Sequence, residues 1–219
     1  MVMLKLATTI LFCICISAQA QEPKLKGDLA AFLKSNTIYP SYSLHNCLQG
    51  TVKVNFKLNA KGEVYQASIV EGIGTDLDDE ALRLIKMTSG KWDVPSTHDT
   101  TSALIVPVKF TLDGYGCDRI SKADMALAIR SYQNQEELFD VISNFYKSKE
   151  KGTAKPEDEA RILLIKNELG IDEEYLQERI NLAMKKYNQG DRQGACEEFN
   201  FVKYMGLDKA NEFLAKYCN

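Results

Sequence analysis

The chain has 219 residues, of which 45% are apolar and 26% charged, and it carries a formal net charge of -3 at pH 7. This balance excludes a disordered chain and a multi-span membrane protein. It also argues against nucleic acid as a partner, because no basic run is longer than Lys185-Lys186 and counterion release needs a concentrated positive face.

Residues 1–20 carry one cation at Lys5, an apolar run from Leu6 to Ala18, and the small-x-small ending Ala18-Gln19-Ala20. This pattern reads as a secretory signal cleaved after Ala20, which places the mature protein in the periplasm. The apolar run is shorter than the roughly 20 residues a membrane-spanning helix needs. Bulky residues before Cys13 and Cys15 argue against a lipid-anchored cysteine.

Beyond the leader, Leu29–Leu33 is a short amphipathic helix that should stop before Tyr39-Pro40, since a residue preceding proline is pushed out of the helical region. From Thr51 to Leu58 the chain alternates, with Val52, Val54, Phe56 and Leu58 on one face and Thr51, Lys53, Asn55 and Lys57 on the other, the mark of a half-buried strand. Asn59-Ala60-Lys61-Gly62 supplies a turn, and Glu63 to Val70 returns as the second arm of a hairpin. Thr75 or Asp76 is placed to cap a helix whose first turn holds Asp78, Asp79 and Glu80, with Leu77, Ala81, Leu84 and Ile85 sharing one face. A loop through Gly90, Trp92 and Pro95 leads to a third strand in which Leu104, Val106, Val108, Phe110 and Leu112 alternate. Pro107 lies inside that strand and has no N–H to give, so the strand belongs at a sheet edge with that position turned outward or bulged.

From Ile120 the period becomes helical. Polar breaks near Gln133–Gln135, Lys147–Pro156, Gly170–Asp172, Asn188–Asp191 and Gly206–Asp208 predict about six helices, with Lys147–Pro156 as a flexible loop. The break at Gly114–Asp118 divides a β-containing domain (21–117) from a helical one (118–219).

The span Tyr39 to Leu112 resembles the TonB C-terminal domain family. The resemblance is carried by Tyr39-Pro40, Gly50-Thr51-Val52-Lys53-Val54-Asn55-Phe56, Gly62 with Glu63-Val64, Gly72 to Gly74, Leu77-Asp78-Asp79-Glu80-Ala81-Leu82, Trp92 with Pro95, and Val106-Pro107-Val108-Lys109-Phe110. It implies an α+β fold, a three-stranded antiparallel sheet with a helix, here followed by an all-α domain. In TonB this domain pairs an extended peptide of an outer-membrane receptor to a sheet edge, so the resemblance implies a protein partner of that kind or another envelope protein. The matching edge runs through Leu104, Val106, Val108, Phe110 and Leu112, and an open edge also allows pairing with a second copy as a homodimer. A working TonB also has a membrane anchor and a long proline-rich spacer. About 18 residues with one proline lie between the expected cleavage site and Tyr39, reaching at most about 60 Å, which speaks against energy transduction by this chain.

The C-terminal part also resembles a single tetratricopeptide-like hairpin at Tyr187, Gly190-Asp191, Ala195, Phe199 and Val202, followed by Gly206 and Ala210. One such unit cannot form a solenoid, and a capping hairpin is the expectation. Loss of the leader leaves Cys47, Cys117, Cys196 and Cys218, an even set in an oxidising compartment. Of the three pairings four cysteines allow, the organisation favours Cys47 with Cys117 across the ends of the first and third strands, and Cys196 with Cys218 on successive helices.

No catalytic constellation emerges. His45 and His98 have no metal-ligand spacing, Asp78, Asp79 and Glu80 are accounted for by a helix first turn, and Gly114-Tyr115-Gly116 lacks the residues of a phosphate loop. The expectation is a non-enzymatic module without metal or cofactor.

Overall fold

A computed structural model describes residues 22–218. The leader expected over residues 1–20 lies outside them. Chain order is β1 (Lys24–Leu25), α1 (Leu29–Asn36), α2 (Ser41–His45), β2 (Gly50–Leu58), β3 (Val64–Glu71), α3 (Asp76–Lys86), β4 (Trp92–Asp93) and β5 (Leu104–Phe110), then α4 (Lys122–Glu150), α5 (Glu159–Glu168), α6 (Glu173–Asn188), α7 (Arg192–Tyr204) and α8 (Ala210–Tyr217), with short 3-10 turns at Cys117–Arg119 and Pro156–Asp158.

The alternation of β2 does what it implies. Val52, Val54, Phe56 and Leu58 are fully buried, while Thr51 and Lys53 are exposed. β2 is the central strand of a three-stranded antiparallel sheet of order β3-β2-β5, and its apolar face takes Leu77, Ala81, Leu84 and Ile85 of α3 to form a first core with Leu48, Trp92, Val108 and Phe110. Of the two expected caps for α3, Thr75 is the one used, accepting from the Leu77 N–H. Gly62 closes the β2–β3 turn at φ 77°, and a Cβ there would lie 2.3 Å from the Trp92 carbonyl oxygen, so the turn needs glycine for conformation and for space. Two small elements were not legible in the sequence: α2, and the two-residue pairing of Lys24–Leu25 with Trp92–Asp93. Both are too short for periodicity to register.

The helical part differs from expectation at its start. No break occurs at Gln133–Gln135, and α4 runs unbroken for 29 residues into the first part of the segment expected to be a loop. Gln133 and Asn134 are exposed, so the polar run is the solvent face of a helix rather than its end. A Ser121–Asp124 capping box starts α4. Ile142, Ile162, Ile180, Phe199, Val202 and Met205 build a second core, with Phe139, Phe145 and Tyr146 of α4 packed on it. Met125, Ala128 and Ile129 of the same helix pack on the first core. One helix therefore serves both cores, although the expected domain boundary falls just before it.

The disulfides pair Cys47 with Cys117 and Cys196 with Cys218. The first joins the chain ahead of β2 to the chain after β5, and the second holds α8 against α7.

Candidate functional site: the β5 edge and the junction behind it

The sheet has two outer edges, β3 and β5, and they differ. β3 shifts register against β2 twice, between Lys53 and Val54 and between Lys57 and Leu58. The residues left over at these bulges are Val70 and Tyr65, which are 55% and 52% exposed. Bulges on an edge strand interrupt the row of groups that another strand would pair with. β5 has no such interruption: it runs against β2 from Gly50 opposite Phe110 to Phe56 opposite Leu104 without a shift.

Which β5 groups point outward follows from parity. In an antiparallel ladder, a residue directs its N–H and C=O to the same side and its neighbours to the other. The Leu112 N–H, two positions past the strand, donates to Gln49 Oε1 on the β2 side at 3.2 Å. The even-numbered residues Leu104, Val106, Val108 and Phe110 therefore pair with β2, and Ile105, Pro107 and Lys109 offer their main-chain groups outward. Pro107 thus loses no ladder bond, and of the two placements expected for it, outward or bulged, the unshifted register fits the outward one. It leaves the outer edge with N–H donors at Ile105 and Lys109 only, and with carbonyl acceptors at all three positions.

The edge strand named from the sequence is in place, but its side chains sort unequally. Val108 and Phe110 are buried in the first core, with Leu104 and Val106 half-buried against it, and Leu112 is buried just past the strand. Ile105 (57% exposed), Pro107 and Lys109 are the side chains open to a newcomer. They share the uncovered face of the sheet with Thr51 and with Lys53, which pairs with Glu71 at 2.6 Å. Alternation was the signal that could have found them, since the residues that skip the core are the ones that face out.

Behind the sheet, the two cores meet through polar contacts. Arg83 of α3 is 8% exposed and donates from Nε to Glu80 Oε2 at 2.7 Å, from Nη2 to Glu80 Oε1 and the Asn36 carbonyl at 2.7 Å each, and from Nη1 to Asp191 Oδ2 at 3.2 Å. Glu80 Oε1 also accepts the Ile38 N–H at 2.7 Å, and Asp191 Oδ1 caps α7 through the Gly194 N–H at 2.8 Å. Burial pulls the Arg83 pKa down, but the Glu80 and Asp191 carboxylates outweigh it and hold the guanidinium above its ordinary value. The Tyr42 hydroxyl donates to the Ala128 carbonyl at 2.7 Å, and its ring packs 5.0 Å from Tyr132. Asp78 ties the β3–α3 loop by accepting the Ile73 and Gly74 N–H groups. The acids read as one first-turn cluster therefore do separate jobs, and Glu80 is a buried partner of Arg83 that sequence reasoning missed. Its only signal was the i, i+3 spacing of Glu80 and Arg83.

His45 and His98 belong to no metal cluster, and none is found among the described residues. Among the same residues no helix is long and apolar enough to cross a membrane.

Residues 35–112 match the family model described as the Gram-negative bacterial TonB protein C-terminal. No curated protein and no solved structure matches the chain. The family match ends before the helical part, so the α6–α7 pair stands as a helical hairpin without support for its likeness to a tetratricopeptide unit. Sheet order, the α3 packing and the matched span agree, and residues 35–112 form a TonB C-terminal domain.

Proposed function

We propose that this protein is a non-enzymatic periplasmic binding module that captures an extended segment of another envelope protein, such as an outer-membrane receptor, by adding it as a fourth strand beside β5. The single observation that carries this reading is the contrast between the two edges: β3 is interrupted by Tyr65 and Val70, while β5 keeps unbroken register. An edge of this kind supplies affinity through main-chain hydrogen bonds and specificity through alternate side chains. The family of residues 35–112 supports the same reading.

The test is a substitution at an outward position. Lys109→Pro removes one outward donor and leaves the β2 ladder whole, whereas Val108→Pro would break the sheet itself. The mature protein is used to capture partners from envelope extract, and the captured chains are identified by mass spectrometry. The expected result is a partner held by the parent and lost from a folded Lys109→Pro variant, with the Ile105 and Lys109 amides slowed in hydrogen exchange in the complex. Equal capture by both proteins would move the binding surface away from β5.

A further inference from the structure

The strand-addition reading leaves open what distinguishes a partner's strand from the β5 strand of a second copy. We propose that Pro107 makes the β5 edge selective for a heterologous strand by disabling the pairing of β5 with itself. This rests on the reading of β5 as the open edge and adds the choice of occupant.

The number of main-chain donors separates the two occupants. The outward-facing groups of β5 are those of Ile105, Pro107 and Lys109, a short row whose middle member has no N–H. A foreign strand laid along this row brings its own full set of donors and acceptors and meets one missing donor. A second β5 brings its own Pro107. In every two-fold antiparallel register that uses both rows, two donors are missing, one from each copy. Centred on Pro107 itself, the two prolines oppose each other and the middle pair forms no hydrogen bond. Centred on Lys109, two ammonium groups stand opposite each other, and like charges directly opposed are unfavourable. Edge proline and edge lysine are both means by which exposed strands avoid each other. The other edge is guarded differently, by the Val70 and Tyr65 bulges, so neither side of the sheet is suited to growth by copies of itself.

The outward placement of Pro107 makes the test clean, because nothing in the β2–β5 ladder depends on it. Pro107→Val restores the missing donor and places a strand-favouring residue there. Sedimentation equilibrium over a wide concentration range is the readout, on parent, Pro107→Val and Pro107→Val/Lys109→Pro, with circular dichroism and thermal melting to show that all three fold alike. The expected result is a dimer in Pro107→Val with a dissociation constant lower than the parent's by about tenfold or more, as restoring two hydrogen bonds per dimer implies. In the double variant a gap is put back into the same row, and the parent's behaviour should return. A Pro107→Val protein that associates no more than the parent would overturn the proposal. So would a Pro107→Val dimer that persists in the double variant, since its interface would lie elsewhere. If Pro107→Val stays monomeric while Lys109→Pro still abolishes partner capture, this inference falls and strand addition at β5 stands.

Discussion

Replacing Arg83 with alanine should cost about 3–5 kcal/mol of unfolding free energy, the typical loss when one partner of a buried ion pair is removed. The cause is less the lost attraction than what remains. The side chains of Glu80 and Asp191 are 4% and 8% exposed, and without the guanidinium two carboxylates are left with no counter-charge between them and little solvent. The Asn36 carbonyl also loses its donor. Urea unfolding followed by circular dichroism measures the effect, and a midpoint within error of the parent would mean the network contributes nothing. A second variant separates repulsion from lost packing. Glu80→Gln and Asp191→Asn added to Arg83→Ala remove both stranded charges, and a substantial part of the loss should then be recovered. Arg83 also joins α3 to the start of α7, so the single variant should loosen the junction between the cores. Faster amide exchange in Gly194 than in the centre of β2 would register that loosening.

Loss of the Cys47–Cys117 disulfide should cost about 4 kcal/mol, and loss of Cys196–Cys218 about 3 kcal/mol, in the chain-entropy account where the larger loop constrains the unfolded chain more. The sequence separations are 70 and 22 residues. Paired serine substitutions at each bridge, compared by thermal melting at one protein concentration, give the ordering. Equal losses, or a larger loss at the shorter loop, would mean that native contacts around the sulfurs outweigh loop entropy. The Cys196–Cys218 variant has a local signature too. The rings of Phe213 and Tyr217 of α8 stack on Phe199 of α7 at 5.2 and 6.0 Å, and release of α8 should change the near-ultraviolet signal of those rings before the rest of the chain unfolds.

What the sequence revealed of this fold was its periodic part. The strict alternation of residues 51–58 and 104–112, and the apolar spacing of Leu77, Ala81, Leu84 and Ile85, are enough to give the sheet and its partner helix, and Pro107 marks the third strand as an edge, turned outward or bulged. Of the three pairings the cysteines allowed, the one favoured by the placement of the strands and of the C-terminal helices is the one present. What stayed hidden was set by tertiary contact. Glu80 looked like one more acid in a helix first turn until Arg83 and the Ile38 N–H met it, and Asp191 looked like a turn residue until it met Arg83. Gln133–Gln135 read as a helix break because polarity alone does not distinguish the wet face of a helix from its end; the neighbours on both sides, Ile129 on one core and Phe139 on the other, keep α4 in place through that run. The open-face residues Ile105 and Lys109 lie between the alternating positions Leu104, Val106, Val108 and Phe110 that mark the core face, so the alternation points to the residues the core consumes.

The Cys47–Cys117 bond has a mechanical consequence. A short loop carries the chain from the Phe110 end of β5 to Cys117, and Cys47 sits just ahead of β2, so the disulfide tethers that end of the β2–β5 pair covalently. A tug on a strand lodged along β5 can draw β5 away from β2 at that end only as far as the loop to Cys117 allows, after which the load passes into the sulfur bridge. The Leu104 end has no disulfide beside it, and it is there that a pulled sheet would open furthest.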